Sequence, residues 1–136
     1  MHTQIFPDMK SGAGPRIIEM HITPIAITDP PLLNAAGIHA PYALRIVLEL
    51  VTDDGISGIS EIPGNVDIEK ALESARTLVH GMDPYQLNQL QQKLEAQFSR
   101  ESTAERGDTP WDQRKLVHVF SALEVACLDI IGKLQN

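Results

Sequence analysis

The chain has 136 residues, of which 43% are hydrophobic and 21% charged, and its net charge is −7 at pH 7. This length is enough for one domain with its own hydrophobic core, and the composition is that of a globular protein. An acidic chain repels phosphate backbones, which disfavours nucleic acid as a partner. No apolar run approaches the roughly 20 residues that span a membrane, so no membrane is expected among the partners either.

The first fifteen residues are predicted to form a flexible leader, because Gly12, Gly14 and Pro15 interrupt regular structure. The leader contains no apolar segment of signal-peptide length. Cys127 is the only cysteine, so no internal disulfide can form. These features predict a cytoplasmic protein whose folded domain covers residues 16–136.

Three segments predict an antiparallel sheet. The first strand is expected from Ile17 to Ile25, with Asp29-Pro30-Pro31 ending it, and the second covers residues 43–52. A turn at Asp53-Asp54-Gly55 leads to a third strand over residues 56–62, in which Gly58 indicates close backbone approach or a bulge. Alternation is expected to place Ile18, Met20 and Ile22 on one face of the first strand, and Leu44, Ile46, Leu48 and Leu50 on the core face of the second.

The hydrophobic period then changes from two to about 3.6, which predicts helices. One helix is expected over residues 67–80, with Asp67 as its N-cap, and a second is expected to start at Asp83-Pro84. The polar residues 99–110 are expected to form a loop before the longest helix, Trp111 to Leu134. The sequence therefore predicts an α+β domain, in which a three-stranded antiparallel sheet is followed by a helical bundle.

The longest helix is apolar on more than one side. Its main stripe is formed by Leu116, Phe120, Leu123, Cys127, Ile130 and Leu134, and further apolar residues lie on its other faces. A helix apolar on most sides needs neighbours on most sides. The hairpin and two helices can cover only part of it, so we expect a further packing partner.

The segment from Leu32 to Tyr42 is expected to be a loop, in which Asn34 and His39 stand among small residues. Such a loop could close over a small polar ligand, or it could be an ordinary tight loop. Glu61, at the end of the third strand, is interpreted as a solvated or N–H-paired carboxylate rather than a functional one. His118 is expected to face a partner or the edge of the core, and Cys127 is expected to be a core residue.

The order of these elements resembles the N-terminal capping domain of the enolase superfamily. Three segments carry the closest resemblance, which is to the glucarate dehydratases: LLNAAGIHAPY, EIPG, and RGDTPWDQRKLVHVFSALEVACLDIIG. The resemblance implies a domain that packs on a (β/α) barrel, where Mg²⁺ and the catalytic bases are held. None of those groups has a counterpart here, so the 136 residues alone are expected to be inactive, with no catalytic residue and no metal ligand in this chain.

The resemblance also implies substrate contacts. Asn34 and His39 match the asparagine and histidine of the family's N-x-x-G-x-H loop, which bind a sugar diacid. A family threonine in an R-G-x-x-T-F-D pattern falls on Pro110 here, so that Thr109 stands one position early. The implied reaction removes water after proton abstraction α to a carboxylate, and the implied partners are the diacid, the chain's own barrel and further copies of itself.

Two alternatives stay open from the sequence. The chain could be a stand-alone binding or assembly module that uses the same fold and buries its apolar helix against another copy. It could also be the cap of another superfamily dehydratase or of a racemase.

Overall fold

The structure is a computed structural model that describes the backbone of residues 14–33, 39–104 and 110–136 and the side chains in these ranges except those of residues 29–41 and 100–113. Three strands are followed by three helices, which confirms the predicted α+β class. Most of the predicted leader, residues 1–13, lies outside the described ranges. The elements are β1 Ile17–Leu33, β2 His39–Thr52, β3 Ser57–Pro63, α1 Val66–Val79, α2 Leu87–Ala104 and α3 Pro110–Leu134.

The three strands form one antiparallel sheet in the order β1-β2-β3. The β2–β3 ladder ends at the pair Arg45 and Pro63, whereas the β1–β2 ladder continues to the pair Leu33 and His39. Residues 26–33 and 39–44 therefore form a two-stranded ribbon beyond β3, here called the arm. The arm projects from the end of the sheet at which β3 ends.

The predicted boundaries of the first strand and of the following loop were wrong. β1 passes through Asp29-Pro30-Pro31 and reaches Leu33, and β2 already begins at His39. A register irregularity between Thr28 and Leu32 accommodates the two prolines, which have no N–H to donate. β1 is an edge strand, and an edge tolerates proline better than a central position does.

The predicted face of β1 was wrong at one residue. Ile17 pairs with Thr52 and Glu19 pairs with Val51, so Ile18 is an extra residue in a β-bulge. Ile18 is consequently 42% exposed, while Ile17 and Met20 are buried. The bulge shifts the alternation by one residue.

The core face of β2 is as predicted over most of its length. Ile46, Leu48 and Leu50 are at most 1% exposed. Leu44 continues the same row but is 56% exposed, because it lies on the arm, beyond the end of β3. The row of apolar side chains is thus longer than the helical layer that covers it.

Helix α3 lies directly against β3. A Cβ atom at Gly58 would overlap the carbonyl oxygen of Ala126 and would lie 2.7 Å from Cγ1 of Ile130. The hydroxyl of Ser60 donates a hydrogen bond of 2.6 Å to the carbonyl of Ala122. The close approach predicted at Gly58 is therefore confirmed.

The helix starts differ from the predicted ones. Asn65, not Asp67, caps α1, and its Oδ1 accepts a hydrogen bond of 2.9 Å from the amide of Ile68. Asp83 accepts from the amide of Tyr85 in a turn that precedes α2, so the predicted start at Asp83-Pro84 was wrong.

The predicted loop over residues 99–110 was also wrong for most of its length. α2 continues to Ala104 and α3 starts at Pro110. Residues 105–109, between the two helices, lie outside the described ranges.

The helices cover one face of the sheet and enclose a single hydrophobic core. Its fully buried members include Leu72, Leu90, Leu94, Leu123 and Ile130. Cys127 is part of this core, where burial, with a smaller effect of the Asp83 and Glu124 carboxylates, raises the pKa of its thiol to about 12. The structure confirms Cys127 as a packing residue.

Candidate functional site

The structure does not describe the side chains of the three residues that the resemblance implies as substrate contacts. Asn34 and Thr109 lie outside the described ranges. His39 is the first residue of β2 and its backbone pairs with Leu33, but its side chain also lies outside the described part. The assignment of these three residues to a site stays a prediction.

The described residues that flank these positions converge on one end of the sheet. At this end the arm begins, β3 ends, and the amide of Gly64 donates a hydrogen bond of 3.0 Å to the carbonyl of Leu44. Helix α3 enters at the same end, since Arg114 and His118 share a cleft with Pro63. The base of the arm and residues 114–118 of α3 therefore lie at the same end of the sheet.

Gly64 fixes the route of the chain at this end. A Cβ at this position would lie 2.7 Å from Cγ1 of Ile46 and 3.0 Å from the carbonyl carbon of Arg45. Without a side chain, the backbone can cross tightly over β2 and enter α1 at Val66. This crossing forms one wall of the cleft.

The cleft has a volume of about 230 Å³ and lies between β3, α1 and α3. Residues 63–65 and the first turn of α1 form one side. Arg114, Lys115 and His118, from α3, form the other. Sequence analysis did not identify this cleft, because nothing in the local pattern indicates which segment α3 faces.

Glu61 takes the structural role that the sequence favoured. Its carboxylate accepts a hydrogen bond of 2.6 Å from Nε of Arg45, on the sheet face opposite the helices. Both side chains are partly exposed, at 47% and 30%. The pair is a solvated cross-strand ion pair, whose contribution to stability is small.

A larger groove of about 880 Å³ runs between the free edge of β1 and the C-terminal half of α1. Arg76 donates to the carbonyl of Met20 and is itself held by Glu73 at 2.9 Å. The hydrogen bond from Arg76 lowers the pKa of Glu73, and the same bond raises the pKa of Arg76. His80 lies 3.2 Å from the carbonyl of Ile18, so both Arg76 and His80 already have protein partners in this groove.

Neither a metal centre nor a membrane span is found within the described ranges. No group of three or more His, Cys, Asp or Glu residues there could hold a metal ion. In the same ranges, no helix combines the length and the apolar character needed to cross a membrane.

Comparison with known proteins shows which proteins are related to this chain. No family model matches it. The chain is 36% identical over 128 residues to a probable glucarate dehydratase of Streptomyces coelicolor, and the match covers 86% of this chain but 29% of that protein. The chain thus spans less than a third of the length of this relative.

Solved structures agree with the sequence match. An enolase of Pseudomonas fluorescens with bound magnesium, potassium and tartrate superimposes with a TM-score of 0.77 at 32% identity, over 90% of this chain and 30% of that one. An enolase of Thermobispora bispora complexed with magnesium and formate gives a TM-score of 0.73 at 36% identity, over 88% of this chain and 29% of that one. The chain belongs to the enolase superfamily, is homologous to part of a glucarate dehydratase, and has the fold of the superfamily's N-terminal capping domain.

Proposed function

We propose that this chain is the substrate-capping domain of a Mg²⁺-dependent dehydratase that acts on a sugar diacid of the glucarate type. The observation that carries the proposal is the 36% identity to a probable glucarate dehydratase over 128 residues. The three-stranded sheet with its arm and three helices supports it, because the fold matches superfamily structures at TM-scores above 0.7.

The role of the cap is to bind and orient the substrate. Asn34 would both donate to and accept from hydroxyl groups, and His39 would donate to a hydroxyl or a carboxylate. Thr109 would contribute a hydroxyl from the segment before α3. The arm is a paired ribbon that extends beyond β3, which suits a segment that closes over a ligand and excludes water.

The chemical step is assigned to a barrel domain outside these 136 residues. The described residues do not fit a Mg²⁺ site, since they contain no cluster of metal-ligating side chains. In the proposed whole enzyme, a barrel base removes the proton α to the carboxylate and the β-hydroxyl leaves as water. Superfamily structures were crystallised with magnesium, which supports Mg²⁺ as the cofactor of that domain.

An uncovered face of α3 supports the presence of a packing partner. Val117, Val125 and Leu128 are 64%, 48% and 40% exposed and recur at helical spacing. We propose that the chain's own barrel, or a second copy in a homo-oligomer, covers this face. Burial of such side chains contributes about 25 cal/mol per Å² of apolar surface.

A chimera tests the proposal. The matching segment of the Streptomyces coelicolor protein is replaced by this chain, and formation of the dehydrated keto acid from D-glucarate is measured with Mg²⁺. We expect activity in the chimera and none in the isolated chain. A folded, Mg²⁺-binding chimera that dehydrates no sugar diacid would contradict the proposal, as would dehydration by the isolated chain.

The role of His39 is tested in the same chimera. His39→Ala is expected to lower kcat/KM for the diacid about 10- to 100-fold, because the substrate loses an orienting contact. Tyr42→Phe on the exposed arm serves as the control and should change kcat/KM little. Unchanged kinetics in the His39→Ala chimera would remove His39 from the site.

A second candidate is a stand-alone binding or assembly module, which the exposed face of α3 also favours. Sedimentation of the isolated chain tests this second candidate. A stable dimer at micromolar concentration supports the module, whereas a folded monomer argues against it.

A third candidate is the cap of another superfamily dehydratase or of a racemase, favoured by the displacement of Thr109 from the family pattern. Products of the chimera decide this question. Epimerised diacid without loss of water would indicate a racemase, and activity confined to a different diacid would indicate another dehydratase.

A further inference from the structure

The cleft between Pro63 and His118, here called the basic cleft, concentrates positive charge in an acidic protein. Arg114 and His118 lie one turn apart on the same side of α3, and Lys115 lines the cleft between them. The chain has a net charge of −7, yet Asp67 is the one carboxylate among the described residues that line this space. The described lining of the cleft thus carries two cationic side chains and an imidazole against one carboxylate.

The stability of the fold does not account for the placement of Lys115 and His118. Lys115 and His118 make no hydrogen bond or ion pair with any residue that the structure describes. The first turn of α1 does not need them either, because Asn65 already caps it through the amide of Ile68. Positive side chains near the N-terminal end of a helix are mildly unfavourable, and the start of α1 lies at this cleft.

The dimensions of the cleft limit its ligand. Its volume of about 230 Å³ is below the roughly 300–1,000 Å³ of sites that hold drug-sized molecules. A carboxylate on a short carbon chain fits this space, whereas a nucleotide does not.

We propose that the basic cleft binds a small organic acid through a carboxylate group held by Lys115 and His118, with Arg114 at its rim. The ammonium and imidazole groups are donors suited to a carboxylate, and charge-assisted hydrogen bonds of this kind are among the stronger ones in proteins. The cleft lies at the end of the sheet from which the arm projects.

The identity of the acid rests on the proposed function. A sugar diacid carries two carboxylates, and only one of them is adjacent to the proton that is removed. The basic cleft would take the other, which makes it a determinant of preference for diacids over monoacids. The binding of an anion as such does not depend on that function.

Binding is tested on the chain itself by amide NMR. Sodium tartrate is titrated at constant ionic strength, and the amide shifts of Gly64, Asn65 and Lys115 are followed. We expect saturable shifts with a millimolar Kd. The double variant Lys115→Gln/His118→Gln should weaken binding at least tenfold, whereas Lys93→Gln on the exposed side of α2 should leave it unchanged.

Two further ligands define the chemistry. Erythritol, a neutral polyol with the same carbon count as tartrate, should cause no saturable shift. Binding of inorganic phosphate but not of tartrate would overturn the assignment to a carboxylate, and weaker binding of phosphate than of tartrate would support it. Absence of saturable shifts with tartrate, or equal weakening by Lys93→Gln, would overturn the site.

The outcome is separable from that of the proposed function. If the chimera is inactive but the isolated chain binds tartrate, the proposed dehydratase function is wrong and the proposed binding site in the basic cleft stands. If the chimera is active but the isolated chain binds no tartrate, the proposed binding site in the basic cleft is wrong and the proposed dehydratase function stands.

Discussion

Gly58 is the residue on which the contact between α3 and β3 depends. Its missing side chain lets the helix backbone at Ala126 approach the strand, and Ile130 packs over the same point. Gly132 lies six residues further along α3 than Ala126, and there a Cβ would meet nothing within 4 Å. The two glycines thus offer a matched pair, one required by packing and one not.

Gly58→Ala is expected to destabilise the domain by about 1–3 kcal/mol, because the helix must move away from the strand. Gly132→Ala, which adds a methyl group on the exposed side of a helix, is expected to stabilise it by about 0.5–1 kcal/mol. Chemical denaturation measures both free energies of unfolding. Equal stability of Gly58→Ala and the natural chain would show that α3 does not approach β3 so closely.

The buried thiol of Cys127 provides a test of how tightly the core around α3 is packed. Its thiol is buried and its pKa is raised to about 12, so at pH 8 almost none of it is the reactive thiolate. We expect labelling by a thiol reagent at pH 8 to be slow in the folded chain and fast in urea. Rapid labelling without denaturant would mean that the core around α3 opens readily.

At the scale of elements, the sheet protects both of its edges. Asp129 accepts from the amide of Ile59 at 3.0 Å, and Lys133 donates to the carbonyl of Ser57 at 2.6 Å, so α3 satisfies backbone groups on the free side of β3. Pro63 removes a further edge donor. At the other edge, Arg76 donates a hydrogen bond to the carbonyl of Met20 in β1. Edges closed in this way are poor templates for pairing with other chains.

The edge contact at Asp129 has a pH signature. The hydrogen bond from Ile59, assisted by Lys133, lowers the pKa of Asp129 below its ordinary 3.8, so the folded state favours the carboxylate. The stabilisation is therefore present above pH 3.8 and is lost as the pH falls through the lowered pKa. Asp129→Asn should unfold at lower urea concentration than the natural chain at pH 7, and the difference should shrink in acid.

Lys133→Met is the control for this experiment. It keeps the bond from Ile59, which is the larger cause of the shift, and should therefore lose a smaller part of the pH-dependent stability. A difference between Asp129→Asn and the natural chain that does not change with pH would contradict the assignment.

The elements were predictable where hydrophobic periodicity alone decides the structure, as it does for β2 and for the buried stripe of α3. The errors have backbone causes. The bulge at Ile18 inserts a residue without any compositional signal, and Asp83-Pro84 has the chemistry of a helix start although a turn through Tyr85 intervenes. The prolines at 30 and 31 ended the predicted strand because the sequence does not reveal that β1 is an edge with an irregular register.

The candidate site could be predicted only in part for a related reason. Resemblance supplied Asn34 and His39 because their spacing is local. The basic cleft joins residues 63–65 to Arg114 and His118, about fifty positions away in the sequence, and only the packing of α3 across the end of β3 brings them together. His118 was expected to face a partner or the edge of the core; it is partly buried and lines this cleft.

At the scale of the whole molecule, two patches of exposed apolar side chains stand out among the described residues, while Ile18, Ile59 and Val66 are exposed elsewhere. One is the face of α3 with Val117 and Val125, and the other is the arm with Leu44 and Tyr42. Both side chains of the arm continue the row that the helices cover at Ile46. A partner that binds the cap is therefore expected to lie along α3, along the arm or along both.

The double variant Val117→Lys/Val125→Lys tests this division. Both residues are exposed, so the free energy of unfolding of the isolated chain should change by less than about 0.5 kcal/mol. If the proposed function holds, the two charges in the chimera would be buried against an apolar surface of the barrel, and dehydratase activity should fall together with thermal stability. Val119→Lys, at a fully buried position of the same helix, should instead unfold the isolated chain. If the double variant leaves the chimera unchanged but converts a dimer of the isolated chain into a monomer, then α3 serves self-association, and the barrel must bind the cap through the arm.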